Sequence, residues 1–513
     1  MNLVVQTASG SVRGSLTGEV RSFKGIGFAA PPVGDLRFAP PAAAPPWSGV
    51  RDAVDYAPIS LQHLDPLSAM IPGCEWNFYH PGAKQSEDCL NLNIWTAGAG
   101  GEGRPVLVWI HGGAFLAGSG TGLWCDGSRL AAEQGVVVVT VNYRLGALGG
   151  LVTDESGSSG NNMLRDQVQA LRWVSENIAA FGGDPQQVTI AGESAGAMSV
   201  VSLLAAPEAA GLFRGAIVQS GHASVSTTPA QAHAATRRYL DKLDLAGAPD
   251  VLAALRAVDA GRLLDAQGTL AAELTVPFRP IIDGTFLPAP LLDIFAAGAQ
   301  AQVPMLIGTN TDEHNLFAAM SWGPGAAAGD LRSRISKLFD APDPAVVDEL
   351  VTTYRRLAAD DDAAWNILTT DRDWRGPVRD LATSHAAAGP PVYSYEFTYR
   401  STALNGALRA CHALDIPFVF GNLDQLGVAD FVGSDAVQEP ARQRVQQACV
   451  EAWGAFIRDG APASSQLPEW PRYLPAQRSV MAIGAEPAVT DDPHADRLDR
   501  WNQLRPSAGL LGL

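Results

Sequence analysis

Short apolar segments recur along the chain, and helical patterns lie between them. Each segment is continuously hydrophobic, which indicates a strand buried on both faces, as in a parallel sheet covered by helices. The segments are VLVWI (106–110), VVVVTV (136–141), VTIAG (188–192), AIVQS (216–220), VPMLIGT (303–309) and VYSYEFTY (392–399). The pattern therefore predicts α/β architecture.

A helix is predicted directly before the strand at 188–192, because apolar residues stand at helical spacing ahead of a Gly-Gly-Asp-Pro stop. These residues are Leu164, Val168, Leu171, Val174 and Ile178. The two longest gaps between strands, at about 221–302 and 310–391, are Ala-rich and predict helical insertions over the sheet. The sequence has neither an internal repeat nor a low-complexity linker, so we predict one domain over 1–513.

Composition and charge narrow the function classes. The 513 residues are 47% hydrophobic and 17% charged, which suits a large globular protein. A net charge of −17 repels a nucleic-acid backbone. The first residues lack the pattern of an export signal, and no segment reaches the ~18 apolar residues of a membrane span. We therefore expect a soluble, cytoplasmic monomer or small homo-oligomer that binds neither nucleic acid nor membrane.

The cysteines argue against a disulfide scaffold and against a metal site. They are odd in number and lack the paired spacing of zinc ligands. The five residues are Cys74, Cys89, Cys125, Cys411 and Cys449. The sequence thus predicts no metal and no cofactor.

The stretch VTIAGESAGAM (188–198) ends a strand in two glycines, Gly192 and Gly196, that bracket Ser194. Small residues on both sides allow a sharp turn that ordinary side chains would block. A strand before the serine and a helix-prone run after it favour a nucleophile elbow over a Gly/Ser-rich surface loop. Ser194 is therefore the candidate nucleophile.

A serine hydroxyl needs a base to take its proton and an acid to orient that base. In this topology the acid and then the histidine follow the serine along the chain. His412 comes after the strand at 392–399 and is the best candidate base, whereas His385 and His494 are predicted to be solvated surface residues. Asp312 and Glu313 both follow the strand at 303–309, and the residues alone do not choose between them.

The stretch WIHGGAF (109–115) places two glycines directly after a strand. Bare backbone N–H groups there can approach the oxyanion of a tetrahedral intermediate. The predicted donors are the N–H groups of Gly112, Gly113 and Ala195. The alternative is a simple turn after a strand.

Long motifs in a fixed order resemble the type B carboxylesterases, the α/β-hydrolase family that includes cholinesterases and bacterial para-nitrobenzyl esterases. The resemblance covers nearly the whole chain. The motifs are FKGIGFAAPPVGDLRF (23–38), SEDCLNLNIW (86–95), HGGAF (111–115), VNYRLGALG (141–149), FGGDPQQVTIAGESAGA (181–197), GTNTDE (308–313) and HALDIPFVFG (412–421). The resemblance implies an α/β-hydrolase fold with a large, mostly parallel sheet flanked by helices.

The resemblance also implies roles for single residues. The family's acid is a glutamate in a G-x-N-x-x-E motif, which points to Glu313, and its base precedes an I-P-[FY]-V-F-G run, which supports His412. A glycine usually follows the glutamate, whereas His314 does so here. Glu193 resembles the family's buried glutamate, which either tunes the site electrostatically or braces the turn; bracing is favoured.

Exported members of the family often have a disulfide at the cysteine of SEDCL, and Cys74 and Cys89 resemble that pair. Such a bond is not expected in a chain without an export signal.

Aromatic residues near the motifs are expected to line an apolar pocket. The candidates are Trp76, Phe78, Tyr79, Phe115, Phe278, Phe317 and Phe418. The five chosen as pocket residues are Phe115, Trp76, Phe278, Phe317 and Phe418. Such a pocket favours neutral, small-molecule esters with short or medium acyl chains. Strongly anionic substrates are disfavoured unless an Arg or Lys receives their charge, and long-chain lipids are disfavoured because neither insertion has an uninterrupted apolar face.

The sequence thus predicts a metal-free serine carboxylesterase that works through an acyl-enzyme, with Ser194, His412 and Glu313 as its triad. An amidase, carbamate hydrolase or lactone hydrolase on the same machinery is the main alternative, because pocket shape selects the leaving group. A non-catalytic, neuroligin-like binding protein is the other alternative, and the intact triad argues against it.

Overall fold

The computed structural model describes residues 3–63, 71, 73–98, 103–153, 160–321 and 329–504. Its strands are β1 (Val4–Gln6), β2 (Ser11–Arg13), β3 (Ser15–Thr17), β4 (Val20–Gly27), β5 (Val50–Asp52), β6 (Asn91–Ala97), β7 (Arg104–Ile110), β8 (Val137–Val141), β9 (Gly183–Glu193), β10 (Gly215–Gln219), β11 (Met305–Asn310), β12 (Val392–Phe397), β13 (Ser479–Ile483) and β14 (Ala488–Asp491).

Helices connect and cover these strands. They are α1 (Ser128–Gln134), α2 (Gly146–Gly150), α3 (Asn162–Asn177), α4 (Ala195–Ala205), α5 (Pro229–Lys242), α6 (Val251–Ala257), α7 (Ala260–Leu274), α8 (Leu291–Ala296), α9 (His314–Ala319), α10 (Leu331–Ser336), α11 (Pro344–Arg355), α12 (Asp361–Thr370), α13 (Gly376–Ala387), α14 (Ile416–Val419), α15 (Val428–Val432), α16 (Glu439–Asp459) and α17 (Ala495–Leu504).

Eleven strands form one sheet in the order β14-β13-β12-β11-β10-β9-β7-β8-β6-β4-β3. The strands from β13 to β8 pair in parallel, and antiparallel strands extend the sheet at both edges. A separate three-stranded sheet joins β1, β2 and β5. The α/β architecture predicted from the apolar segments is confirmed, and every predicted strand is present.

Strand β7 shows why those segments are continuously hydrophobic. Val106, Val108 and Ile110 belong to the hydrophobic core on one face of the sheet, and Leu107 and Trp109 belong to the core on the other face. All five side chains are buried. Helices therefore cover the central strands on both sides, as the absence of alternation indicated.

Helices occupy much of both long gaps between strands. Those from α5 to α8 lie within 221–302, and those from α9 to α13 lie within 310–391. Several begin at a side chain that accepts a hydrogen bond from a backbone N–H of the first turn, which stabilises a helix start. These capping residues are Thr228, Asp250, Asp259, Asp330, Asp343 and Asp360. Within the described ranges, no helix combines the length and apolar character needed to cross a membrane.

Candidate active site

Ser194 occupies the sharp turn between β9 and α4. Its backbone has φ 56° and ψ −125°, a conformation that costs free energy in a residue other than glycine. The Ser194 N–H donates to the carbonyl of Gln219 on β10 at 2.9 Å, which fixes the turn against the neighbouring strand. The serine lines a cavity at the carboxyl ends of the central strands.

The two glycines beside Ser194 are required by close packing at this turn. A Cβ atom on Gly196 would collide with the carbonyl of Ile110 on β7, and one on Gly192 would collide with the backbone of Gly196 itself. Glycine is the one residue type that fits both positions without moving the sheet. The G-x-S-x-G spacing is thus explained by backbone proximity.

His412 and Glu313 meet although 99 residues separate them in sequence. His412 lies on the loop between β12 and α14, and Glu313 follows β11, the strand that pairs with β12. The His412 Nδ1 is 2.6 Å from Glu313 Oε2, and both side chains are buried. Because an ionised carboxylate only accepts, Nδ1 carries the proton and Nε2 is left to face the cavity side.

Further hydrogen bonds fix the carboxylate of Glu313. Its Oε1 accepts from the Asn310 N–H at 2.7 Å and from the Ser220 hydroxyl at 2.5 Å. Ser220 stands at the end of β10 with φ 52°, so its hydroxyl projects from another strained turn. Sequence analysis did not find Ser220, because an isolated serine after a strand carries no distinguishing pattern.

Asp312, the other candidate acid, points away from His412. Its Oδ2 accepts from the N–H of Ala410 at 3.3 Å, and its Oδ1 is 3.7 Å from the guanidinium of Arg409. The side chain therefore braces the loop that leads to His412. The structure brings Glu313, and not Asp312, to the imidazole.

His314 begins helix α9 directly after Glu313. Its N–H donates to the Thr370 hydroxyl at 3.1 Å, and its ring lies 5.9 Å from the ring of Phe317. Burial lowers the pKa of His314 to about 4, with a further contribution from Arg372, so the ring is neutral at neutral pH. The bulky residue at this position leaves the hydrogen bond between Glu313 and His412 intact.

The prediction that His385 is a solvated surface residue is wrong. Its ring is buried against α8, where Nε2 bonds the Val303 carbonyl at 2.8 Å and Nδ1 bonds Gln300 at 3.0 Å. His494 is partly buried and lies 3.2 Å from a carboxylate oxygen of Glu396. Neither histidine lines the cavity.

Two aromatic rings hold the imidazole of His412. Trp374 lies 4.5 Å from it and Phe317 lies 5.0 Å from it, and these two rings stack on each other at 5.6 Å. Trp374 belongs to a single π-helical turn, Asp371–Arg375, which Asp371 anchors through ion pairs to Arg375 and to Arg497. Trp374 had no sequence signal, because its turn lies inside a predicted insertion.

The glycines of the HGGAF stretch lie against the elbow. A Cβ built on Gly112 would be 3.1 Å from the Cβ of Ser194, and Gly113 has φ 107°, which favours glycine. Gly112, Gly113 and Ala195 all line the cavity beside Ser194. In the described part of the chain, no protein acceptor engages the backbone N–H groups of these three residues.

Glu193 brings a second carboxylate to His412. Its Oε1 is 3.0 Å from Nε2 but lacks the alignment of a hydrogen bond. Burial raises the pKa of Glu193, although His412 opposes this effect. Burial lowers the pKa of His412, but Glu193 and Glu313 outweigh burial, so the net shift is upward. This proximity supports the electrostatic role of Glu193 over the bracing role that the sequence favoured.

The cavity has a volume of about 610 Å³ and collects the candidate catalytic residues at one wall. Ser194, His412 and Glu193 line it, whereas Glu313 lies behind His412. Residues of α7 and α9 also line it, so both long insertions contribute to the cavity. A cavity of this size accommodates a small-molecule ligand.

Two of the five predicted pocket residues, Phe115 and Phe317, line this cavity, as does the further candidate Phe78. The other three do not, and their assignment to the pocket is wrong. Phe278 packs on Tyr239 at 5.4 Å, and Phe418 packs on Phe397 at 5.2 Å, both inside the hydrophobic core. Trp76 packs edge-on against Tyr79 at 5.9 Å.

All five cysteines are buried and unpaired, so Cys74 and Cys89 form no disulfide in this structure. Cys74 and Cys125 line the cavity. Among the described residues, no group of three or more His, Cys, Asp or Glu side chains is placed to hold a metal ion.

A large, mostly parallel sheet that carries a serine at a strand-to-helix elbow, with an acid and a histidine after later strands, defines the α/β hydrolases. The chain belongs to the carboxylesterase family, whose profile it matches over residues 1–501. It is therefore a carboxylic ester hydrolase, as the motifs predicted.

Known relatives span almost all of the chain. A para-nitrobenzyl esterase of Bacillus subtilis (strain 168) is 35% identical, and the match covers 99% of this chain and 99% of that protein. A phenmedipham hydrolase of Pseudarthrobacter oxydans is 34% identical over 94% of this chain and 96% of its own. A solved Geobacillus stearothermophilus carboxylesterase superposes with a TM-score of 0.83 at 38% identity, covering 98% of this chain and 100% of its own.

Proposed function

We propose that the protein is a serine carboxylesterase that hydrolyses neutral short- to medium-chain esters through a Ser194 acyl-enzyme. The observation that carries the proposal is the 2.6 Å contact of Glu313 with the Nδ1 of His412 beside a strained, cavity-lining Ser194. This order of acid, imidazole and serine activates a hydroxyl that is otherwise a weak nucleophile.

In the first step the Ser194 oxygen attacks the ester carbonyl while Nε2 of His412 takes the hydroxyl proton. Glu313 stabilises the imidazolium that forms and holds the ring in the tautomer with a free Nε2. The stacked rings of Trp374 and Phe317 restrict rotation of the imidazole. His412 then returns its proton to the departing alcohol.

The negative charge of the tetrahedral intermediate falls on the former carbonyl oxygen. Gly112, Gly113 and Ala195 supply the N–H groups that receive it, and a single donor of this kind contributes roughly a hundred- to thousandfold in kcat. Water then attacks the acyl-enzyme carbonyl while His412 takes a proton from it, and collapse of the second tetrahedral intermediate releases the acid as His412 returns that proton to the Ser194 oxygen.

A pH dependence follows from the environment of His412. Two nearby carboxylates raise its pKa above the ordinary value of 6.5, and the base works only when neutral, so kcat/KM is expected to rise with pH through the neutral range. Glu193→Gln removes one of the carboxylates and should move this acid limb to lower pH. Measurement of kcat/KM between about pH 5 and pH 9 checks the shift.

Glu208→Gln, which neutralises a half-exposed acid away from the cavity, is the matched control for Glu193→Gln. It should leave the acid limb in place. If the pH at which kcat/KM rises is unchanged in Glu193→Gln as well, Glu193 only braces the turn.

The size and lining of the cavity support the substrate class. Phe115, Phe317, Met198 and Val225 line it with apolar surface. Each Å² of apolar surface removed from water contributes roughly 25 cal/mol, so a short acyl chain and an alkyl or aromatic alcohol bind well there. Long fatty chains are disfavoured because neither long insertion has the uninterrupted apolar face that a lipase working at an interface exposes.

A series of para-nitrophenyl esters tests this proposal. We expect kcat/KM for the acetate and the butyrate to exceed that for the palmitate, with Ser194→Ala protein as the blank for uncatalysed hydrolysis. A clear preference for the palmitate would refute the substrate class, while the triad could still stand. A panel of matched amides and carbamates in the same assay measures the leaving-group preference directly.

A further inference from the structure

Arg279 lines the cavity and brings a positive charge into an otherwise mostly apolar space. It is the one Arg or Lys among the cavity-lining residues of the described chain. No described residue forms a hydrogen bond or an ion pair with its side chain, whereas the buried Arg144 pairs with Asp166 at 2.7 Å. A partly buried cation without a carboxylate partner is unusual, because desolvation disfavours it.

The backbone around Arg279 is held on both sides. Phe278 before it is buried against Tyr239, and the carbonyl of Pro280 after it accepts from the Thr227 N–H at 2.8 Å. Ile281 is buried as well and pairs with Thr227 in an isolated β-bridge. The segment is therefore fixed in place, with Phe278 in the core and Arg279 at the cavity wall.

Among the described residues, none compensates the charge of Arg279. Burial lowers its pKa to about 10, without an acidic neighbour to offset this effect, yet the guanidinium stays charged at neutral pH. Glu193, the acid that lines the same cavity, is instead 3.0 Å from His412. The cavity thus offers a charged, partly desolvated donor that no group in the described ranges uses.

We propose that Arg279 receives a free carboxylate of the substrate, so that the protein also hydrolyses esters that carry one negative charge, such as dicarboxylic half-esters. The proposal rests on the proposed esterase function and adds a substrate class to it. A guanidinium matches a carboxylate with two parallel N–H···O bonds, which are stronger than bonds between neutral groups. The sequence-based expectation disfavoured strongly anionic esters unless an Arg or Lys receives their charge, and Arg279 meets that condition from outside the elbow and the HGGAF loop.

The carboxylate can be attached to the acyl part or to the alcohol part of the ester, and paired substrates distinguish these cases. Monoethyl glutarate carries it on the acyl side, and ethyl pentanoate is its neutral counterpart. 4-Acetoxybutyrate carries it on the alcohol side, and butyl acetate is its neutral counterpart. For each pair, the ratio of kcat/KM for the charged ester to kcat/KM for the neutral ester is measured by titration of released acid.

In the wild-type protein we expect this ratio to be at least about one for one of the two pairs. Arg279→Met keeps the apolar stem but removes the charge, and should lower that ratio by roughly 10- to 100-fold, the effect of losing hydrogen bonds to a charged group. Arg279→Lys keeps the charge without the planar fork and should lower it less. Arg279→Lys also serves as the test if Arg279→Met does not fold.

Arg237→Met is the matched control for net charge. Arg237 is exposed on α5 and does not line the cavity, and its loss changes the protein's charge by the same amount. It should leave both ratios unchanged. An unchanged ratio in both Arg279 variants, or wild-type ratios far below one for both pairs, would overturn the proposal. Failure of the wild-type protein to hydrolyse the neutral esters would instead overturn the proposed function itself.

Discussion

Ser194→Ala is expected to lower kcat for para-nitrophenyl butyrate by about a millionfold, because loss of the nucleophile disables a triad whose members act together. The residual rate should reflect the oxyanion donors and substrate binding alone. Steady-state and single-turnover assays measure the loss. The fold should survive, since the side chain of Ser194 is small and lies at the cavity wall.

The control for this prediction is the structural integrity of the variant. Its thermal unfolding midpoint and near-UV circular dichroism should match those of the wild-type protein. Ser224→Ala removes another serine that lines the same cavity and should keep most of the activity. A correctly folded Ser194→Ala protein that retains substantial activity would show that the elbow assignment is mistaken.

Glu313→Gln should lower kcat by about ten-thousandfold, the effect expected when the acid that fixes the histidine tautomer becomes an amide. The amide can donate to Nδ1, and the proton then moves to Nε2, which can no longer act as base. The hydrogen bonds that Oε1 accepts from Asn310 and Ser220 can persist, so the loss reports on His412.

Asp312→Asn is the matched control, because it makes the same chemical change one residue earlier. Its amide oxygen can still accept from the Ala410 N–H, and the lost ion pair with the half-exposed Arg409 is worth only about 0–1 kcal/mol. We expect a far smaller loss of kcat than in Glu313→Gln. If kcat fell more in Asp312→Asn than in Glu313→Gln, Asp312 would be the catalytic acid, and the assignment taken from the family motif would be wrong at this position.

The central sheet was predictable because burial on both faces leaves a plain sequence signal. Runs such as VLVWI are apolar at every position, and β7 alternates its side chains between two hydrophobic cores. The edge strands β3, β4, β13 and β14 were not predicted. Strands β3 and β14 contain no buried position, and β4 mixes buried and partly exposed positions, so none of these three has a continuous or alternating apolar pattern; β13 alternates over only five residues.

The elbow and the HGGAF loop were found because the backbone geometry there restricts residue types at short spacing, and His412 was found by its place after the last predicted strand. The choice between Asp312 and Glu313 required the family resemblance, since adjacent acids differ only in where their side chains point. Trp374 and Ser220 reach His412 and Glu313 from segments distant in sequence, and only tertiary packing brings them there.

The residues that line the pocket were harder still to predict from the sequence, because tertiary packing decides which side chains reach the cavity. Phe278 was selected for its aromatic ring, but the structure buries that ring and places its neighbour Arg279 at the cavity. The stretch TVPFRPII (275–282) did contain a sequence signal for Arg279. A single charged residue inside an apolar run is costly to bury, which indicates either an ion-pair partner or a functional role. Which of two adjacent side chains faces a cavity depends on the direction of the backbone, and composition does not encode that direction.

The central claim is that Ser194 is the nucleophile activated by His412, and covalent trapping tests it most directly. Diethyl para-nitrophenyl phosphate should transfer its diethylphosphoryl group to the Ser194 oxygen, with release of one para-nitrophenolate per protein as His412 takes the hydroxyl proton. Peptide mass spectrometry of the inactivated protein should find the label on the peptide that contains Ser194, in proportion to lost activity. Inactivation with the label elsewhere, or full labelling of Ser194 with activity retained, would contradict the account.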